Sequence, residues 1–255
     1  MSTNLQVSLE RRVLRVELNR PEKRNALSLA MCRDLIEAFD RAERDAAIGA
    51  VLLTATGSVF CAGMDLDEAL EGSAAEHNRL HRELFTAGAR MTTPVVAAVS
   101  GPALGGGVGL VANAHIAVAA QGSTFGLTEI RVGTWPFMVH RAVARAIGER
   151  RALELALTGR IFSATEALEW GLVHHVVPAF ELEDRAWGIA FGLSVSSAST
   201  IRRGMAFVNE SREMSSEAAL ELAERARQEV FESTDFREGV RAFHEKRKPV
   251  WPSLG

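Results

Sequence analysis

Residues 94–120, PVVAAVSGPALGGGVGLVANAHIAVAA, carry two short apolar runs at 95–99 and 116–119 on either side of a glycine-rich turn. Runs of that length bounded by glycine and proline predict buried strands, and the residues between them leave room for a turn and one short helix. The stretch lies inside a longer segment, 91–128, with no Asp, Glu, Lys or Arg, although charged residues make up 24% of the chain. It is therefore expected to be the most deeply buried part of the fold. Pro102, five glycines and His115 interrupt it, so it is a poor candidate for a continuous membrane helix.

Working outward, Leu14, Val16 and Leu18 alternate with Arg15 and Glu17, as in a strand with one buried face. Residues 19–25 break it with a basic loop. Apolar residues from Leu29 through Cys32, Leu35, Ile36, Phe39 and Ala42 recur at three- and four-residue steps and predict an amphipathic helix; 50–53 reads as a strand and 74–90 as another helix. Alternating strands and helices give an α/β class with crossover connections. Beyond Thr134 the strand signals nearly vanish, and Ser163-Ala-Thr-Glu166 reads as a capping box opening a helix that Gly171 closes. The shift predicts a core over 1–195 and a helical region over 196–255 with a charged end around Phe243 and Lys246.

With 255 residues, 47% of them hydrophobic, the chain is long enough for a substantial core. A formal charge of -3 and a pI near 6.2 give no reason to expect a nucleic-acid or membrane-surface partner, so a small molecule fits better. Two cysteines, Cys32 and Cys61, and a start unlike a cleavable signal lead to the expectation of a reducing cytoplasm.

Three features bear on chemistry. Glu129 is the first charge after the uncharged segment, and a carboxyl group in an apolar setting has its pKa raised toward the range useful for proton transfer; alternatively it marks a return to the surface or pairs with Arg131. The turn Leu104-Gly-Gly-Gly-Val-Gly109 lets a ligand approach the backbone and leaves helix-start N–H groups free. Gly107-Val-Gly-Leu-Val-Ala112 also matches a degenerate dinucleotide fingerprint, although Gly101-Pro102 ends the preceding strand too early for that reading. Phe60-Cys-Ala-Gly-Met-Asp-Leu66 allows a tight bend, with Asp65 placed to cap a following helix. For Cys61 a packing role is preferred over a nucleophilic one, since no histidine is near in sequence. His77 and His81, four residues apart with no adjacent glutamate, read as a solvated helix face, and no metal-ligand spacing is present.

Taken together, Asn19-Arg-Pro21 with Asn25-Ala-Leu27, the Phe60–Leu66 segment, Gly101-x-Ala-Leu-Gly-Gly-Gly107, Phe125-Gly-x-x-Glu129 with Gly133, and Leu157-Thr-Gly159 with Ala164, Ala167 and Gly171 resemble the crotonase (enoyl-CoA hydratase/isomerase) family over nearly the whole chain. The resemblance implies a spiral core of ββα repeats in two sheets, a helical C-terminal trimerisation region, and a homotrimer or dimer of trimers. It implies an acyl-CoA thioester substrate whose carbonyl sits between the backbone N–H groups of Met64 and Gly106, with Glu129 moving protons. It further implies that Ala62, Asp65 and Leu66 receive the adenine, that Lys23 or Arg24 meets the phosphates, and that Phe243 and Lys246 reach a neighbouring subunit's coenzyme A. No separate cofactor is implied, because coenzyme A belongs to the substrate. Helix 74–90 and Trp135 to Met138 are expected to wall the acyl pocket.

One departure stands out. Hydratases similar to this chain hold water between two glutamates, and the first of those positions is Gly109 here. Residues 133–138, Gly-Thr-Trp-Pro-Phe-Met, replace a glycine-rich turn and resemble the isomerase branch. The departure favours a single-glutamate enoyl-CoA isomerase; the alternatives are a hydratase or other enolate-chemistry lyase or hydrolase, and a coenzyme A-binding member without turnover.

Overall fold

A computed structural model describes residues 4–254. Its strands are β1 (Leu5–Glu10), β2 (Val13–Leu18), β3 (Ala50–Ala55), β4 (Val95–Val99), β5 (Ala103–Leu104), β6 (Ile116–Ala120), β7 (Thr124–Gly126), β8 (Ile161–Ser163) and β9 (His175–Val177). Its helices are α1 (Leu29–Arg44), α2 (Leu66–Glu71), α3 (Ala74–Thr86), α4 (Gly106–Asn113), α5 (His140–Ile147), α6 (Glu149–Thr158), α7 (Ala164–Glu169), α8 (Leu182–Ser194), α9 (Ala198–Ser211), α10 (Ser216–Glu232) and α11 (Thr234–Glu245).

The larger sheet runs β1-β2-β3-β4-β6-β9, and the smaller one β5-β7-β8. The first pair of the larger sheet is antiparallel; from β2 onward every neighbour is parallel. Parallel strands are covered on both faces, which is why β3, β4 and β6 read as unbroken apolar runs rather than alternating ones. Val51, Leu53, Ala97, Val99, Ala117 and Ala119 point into the main core with α1 and α4. Leu52, Val96, Ala98 and Val118 point the other way, onto Leu182, Ala186 and Ala190 of α8. A carboxylate fixes the entry to β4: Glu43 accepts the backbone N–H groups of Thr92 at 3.0 Å and Thr93 at 2.7 Å.

The α/β class and the helical end are as expected, with helices α9 to α11 filling the C-terminal stretch. The capping box is present: Ser163 Oγ accepts from the Glu166 N–H at 3.2 Å while Glu166 Oε2 accepts from the Ser163 N–H at 2.8 Å. Gly171 follows that helix with a left-handed φ of 84°. Five strands were not expected: β1, β5, β7, β8 and β9, of which all but β1 are two or three residues long and too short to display a period of two. The helix expected over 74–90 stops at Thr86 and tightens into a 3₁₀ turn at Ala87–Ala89. Among the described residues, no helix is long and apolar enough to cross a membrane.

Buried Asn25 pins the basic loop to the core. Its Nδ2 donates to the carbonyls of Thr56 at 2.9 Å and Val59 at 2.8 Å, and its Oδ1 accepts the Arg20 N–H at 2.8 Å. Its φ of 53° lies in the left-handed region, which asparagine tolerates better than most residues. Asn25→Ala removes three buried partners and leaves alanine in that conformation, so a loss on the order of 2–4 kcal/mol is expected in urea unfolding. A loss under about 0.5 kcal/mol would show that the loop is held by something else.

Candidate active site

Two backbone stretches cross beside one cavity. The Cys61 carbonyl accepts the Leu104 N–H at 2.9 Å, and the Pro102 carbonyl accepts the Cys61 N–H at 3.2 Å, so 61–64 and 102–107 run side by side. On its other flank this first stretch meets Leu27, whose N–H donates to the Gly63 carbonyl at 2.7 Å and whose carbonyl accepts the Asp65 N–H at 3.1 Å. That pattern uses the Gly63 carbonyl and the Asp65 N–H and turns the Met64 N–H away from Leu27. Gly106 opens α4, where the first-turn N–H groups have no acceptor within the helix. Among the described residues neither the Met64 nor the Gly106 N–H donates to a protein acceptor, and both residues line the cavity.

The cavity has a volume of about 290 Å³. Leu27, Phe85, Trp135, Pro136 and Val139 make its wall largely apolar, and Ala62, Leu66, Thr128 and Glu129 also line it. Glu129 begins a 3₁₀ turn after β7 that ends at Gly133, φ 75°. Its carboxyl group lies against Gly105, where a Cβ atom would come within 3.0 Å of Oε1; Gly105 also holds a φ of 51°. The backbone conformation calls for glycine there, and the missing Cβ leaves the carboxyl its room. Glu129 Oε2 is buried without a hydrogen-bond partner. Burial pushes this carboxyl above its ordinary range, opposed only by its own backbone N–H. The alternative pairing with Arg131 is not formed.

The structure also says why Gly109 is glycine. A Cβ atom there would meet Val139 Cγ1 at 2.3 Å and the Phe85 ring at 2.8 Å, so the place of a second carboxylate is filled by apolar side chains. The dinucleotide reading fails for the same kind of reason. A Cβ at Gly107 would lie 2.4 Å from the Cys61 carbonyl oxygen, so that glycine serves packing of protein on protein.

Asp65 caps α2 by accepting the Glu68 N–H at 3.4 Å, as the sequence suggested, and pairs with Arg20 at 2.7 Å, which it did not. Burial alone would raise the Asp65 carboxyl, but the Arg20 and Glu68 hydrogen bonds hold it below its ordinary range. The Arg24 carbonyl accepts the Ala62 N–H at 3.0 Å, while exposed Lys23 pairs with Asp67 at 3.1 Å, so the basic loop sits beside the Phe60–Leu66 segment. Phe243 is 80% exposed and Lys246 caps α11 with φ 54°; neither lines the cavity. Cys61 is fully buried and its thiol is pushed up to about 12 by burial, which agrees with packing rather than attack.

The reading of His77 and His81 as a solvated face is corrected. Both are buried, on the inward face of α3 with Leu80, Leu84 and Phe85, and His81 lines the cavity. Their spacing matched the apolar positions of that helix, so the signal was present, but histidine was assigned to the polar side.

The chain matches the family model described as enoyl-CoA hydratase/isomerase over residues 8–253. It is 37% identical to mevalonyl-coenzyme A hydratase sidH of Aspergillus fumigatus, over 94% of this chain and 91% of that protein. Enoyl-CoA hydratase EchA19 of Mycobacterium tuberculosis is 36% identical, over 94% of each. The crystal structure of an enoyl-CoA hydratase from Mycobacterium smegmatis superposes with a TM-score of 0.93 at 33% identity, covering 98% of this chain and 99% of that one.

If Val139 and Phe85 fill the space over Gly109, Gly109→Ala should cost about 1–3 kcal/mol through overpacking. Adding Val139→Ala should recover part of that loss, a positive coupling in a double-mutant cycle of thermal or urea unfolding. Strict additivity would mean that the two sites do not compete for space.

Proposed function

Because the chain belongs to the enoyl-CoA hydratase/isomerase family, we propose that it turns over an acyl-CoA thioester with Glu129 as its one carboxylate base, moving the double bond of a 3-enoyl thioester into conjugation. The observation that carries this reading is a solitary buried carboxyl beside two uncommitted backbone N–H groups in an apolar cavity.

The thioester oxygen accepts hydrogen bonds from the Met64 and Gly106 amides. Glu129 removes a proton from C2; the electron pair delocalises over C2, C4 and the thioester oxygen, and the same carboxyl returns the proton to C4. Negative charge grows on the oxygen during removal, so donors fixed in a dry site stabilise the transition state more than the ground state. A carboxylate raised by burial is the stronger base, and its protonated form is the one stable in the cavity between the two transfers. No further cofactor enters this chemistry.

Hydration is the second reading, supported by the hydratase names of similar proteins. Glu129 alone would then have to orient water and handle the α-carbon proton, with Val139 and Phe85 occupying the place from which a second carboxylate acts.

Coenzyme A is proposed to lie along Ala62, Asp65 and Leu66, with Lys23 or Arg24 at its phosphates and Phe243 and Lys246 supplied by an adjacent subunit of a trimer. Exposed Val208, Leu220, Phe231, Val240 and Phe243 on α9 to α11 support such an assembly, since apolar surface of that kind is buried in oligomers. Two buried free thiols suit a reducing, cytoplasmic setting.

With matched straight-chain substrates, kcat/KM for 3-enoyl-CoA isomerisation should exceed that for 2-enoyl-CoA hydration; the reverse order would favour the second reading. Glu129→Gln should lower kcat by on the order of 10² or more while leaving thioester affinity nearly intact. Its stability should also change with pH in a defined sense. A native carboxyl raised above its unfolded value of about 4.3 carries no penalty below that value, and the penalty grows as pH rises through the unfolded and then the native pKa. Glu129→Gln should therefore unfold at an equal or higher temperature than the wild type at pH 7, with the gap closing toward pH 4. A variant less stable at pH 7 than at pH 4, relative to the wild type, would contradict the burial of a lone carboxyl.

A further inference from the structure

His81 is an unusual buried histidine in this chain. His115 is satisfied at both ring nitrogens, accepting the Val95 N–H at 2.9 Å and meeting the Gly88 carbonyl at 3.0 Å. His174 accepts the Ala117 N–H at 3.0 Å. His77 uses Nδ1 on the Ser73 carbonyl at 3.1 Å and packs under Gly72; its Nε2, like that of His140, is buried without a partner, but neither ring lines the cavity. His81 is only 7% exposed, its Nε2 has no hydrogen-bond partner, and its ring forms part of the cavity wall together with Asn78. A buried polar side chain is expected to be bonded, and one that is not, in a cavity wall, has its partner in the ligand.

The position says which part of a ligand. Phe85 lies against Gly106, whose Cβ would stand 3.2 Å from the ring, so Phe85 flanks the thioester end. The His81 ring centre is 5.7 Å from that of Phe85, one helical turn toward the start of α3, and Asn78 lies nearly a further turn on. His81 and Asn78 therefore face acyl carbons beyond those that react.

Charge narrows the ligand class. Among the described residues no Lys or Arg lines the cavity. Burial, with His77 beside it, pushes His81 down to about 4, so the imidazole is neutral near pH 7. A terminal carboxylate would thus enter an apolar site with no cation, facing Glu129 as the wall's own acidic side chain. A neutral imidazole offers one donor and one acceptor, as does a hydroxyl.

Resting on the acyl-CoA reading above, we propose that His81 is a specificity-determining residue that hydrogen-bonds an uncharged hydroxyl group on the distal acyl chain of the thioester, with Asn78 beside it.

The test is binding of hexanoyl-CoA, of its analogues hydroxylated at C4, C5 or C6, and of adipoyl-CoA, measured by calorimetry on the wild type, His81→Phe and His81→Gln. One hydroxylated analogue should bind at least about tenfold tighter than hexanoyl-CoA, since a buried polar group left unpaired penalises the plain chain, and adipoyl-CoA should bind more weakly than either. His81→Phe should erase the hydroxyl preference by tightening hexanoyl-CoA binding toward that of the hydroxylated analogue, and His81→Gln should retain part of the preference. Equal wild-type affinity for all hydroxylated and plain chains would overturn the proposal, as would a preference surviving in His81→Phe. If a variant does not fold, the wild-type comparison decides by itself. Failure of every acyl-CoA to bind would count against the acyl-CoA reading itself, whereas intact binding without a hydroxyl preference counts only against the role of His81.

Discussion

The contact of Val139 and Phe85 with the backbone at Gly109 governs what the cavity can do. Helix α4 lies close to the Cys61–Met64 stretch, an approach that Gly107 permits because a Cβ there would stand 2.4 Å from the Cys61 carbonyl oxygen. Once the helix is so placed, α3 and the segment after Pro136 close over its other side. The space they take is where a second acidic side chain would have to stand, and apolar atoms cannot yield it without overpacking. One carboxyl is left, and its electrostatics follow from its solitude.

Glu129 and His81 show the same physics with opposite signs of titration. Desolvation disfavours the charged form of each, raising the acid and lowering the base, so both are drawn toward neutrality inside the cavity. For Glu129 the result is a carboxyl that readily holds a proton, as the proposed transfer between two carbons requires. For His81 it is a neutral polar group among apolar neighbours, suited to reading an uncharged oxygen. Asp65 is the contrast: Arg20 keeps it charged, and it acts as a cap and a tie between the basic loop and α2 rather than as a reacting group.

Much of this was legible in the sequence, because the strongest signals are one-dimensional. The uncharged segment 91–128 foretold the buried centre and isolated Glu129 at its end, and the capping box at Ser163 named its own helix. The glycines were legible as close approaches but not as approaches to what: Gly109 was read as a missing glutamate, and only the fold shows Val139, distant by thirty positions, filling the gap. The three-residue strands at Ile161 and His175 carry no periodicity of their own and exist because β7 and β6 present open edges. His81 was misassigned because spacing identifies a helix face while residue type was allowed to decide which way that face points. The Arg20–Asp65 pair joins positions 45 residues apart, a separation that no local pattern encodes.

A single carboxyl that takes a proton from C2 and returns it to C4 leaves a trace that two-group chemistry does not. The measurement is the fate of the label when a 3-enoyl-CoA carrying deuterium at C2 is turned over in ordinary water and the 2-enoyl product is analysed by mass spectrometry at low conversion. Transfer through Glu129 predicts deuterium at C4 in a substantial fraction of the product, lost in Glu129→Gln together with turnover. Product with no deuterium at C4, accompanied by accumulation of the 3-hydroxy thioester, would show that water is the reacting partner and that one carboxylate does not carry the proton.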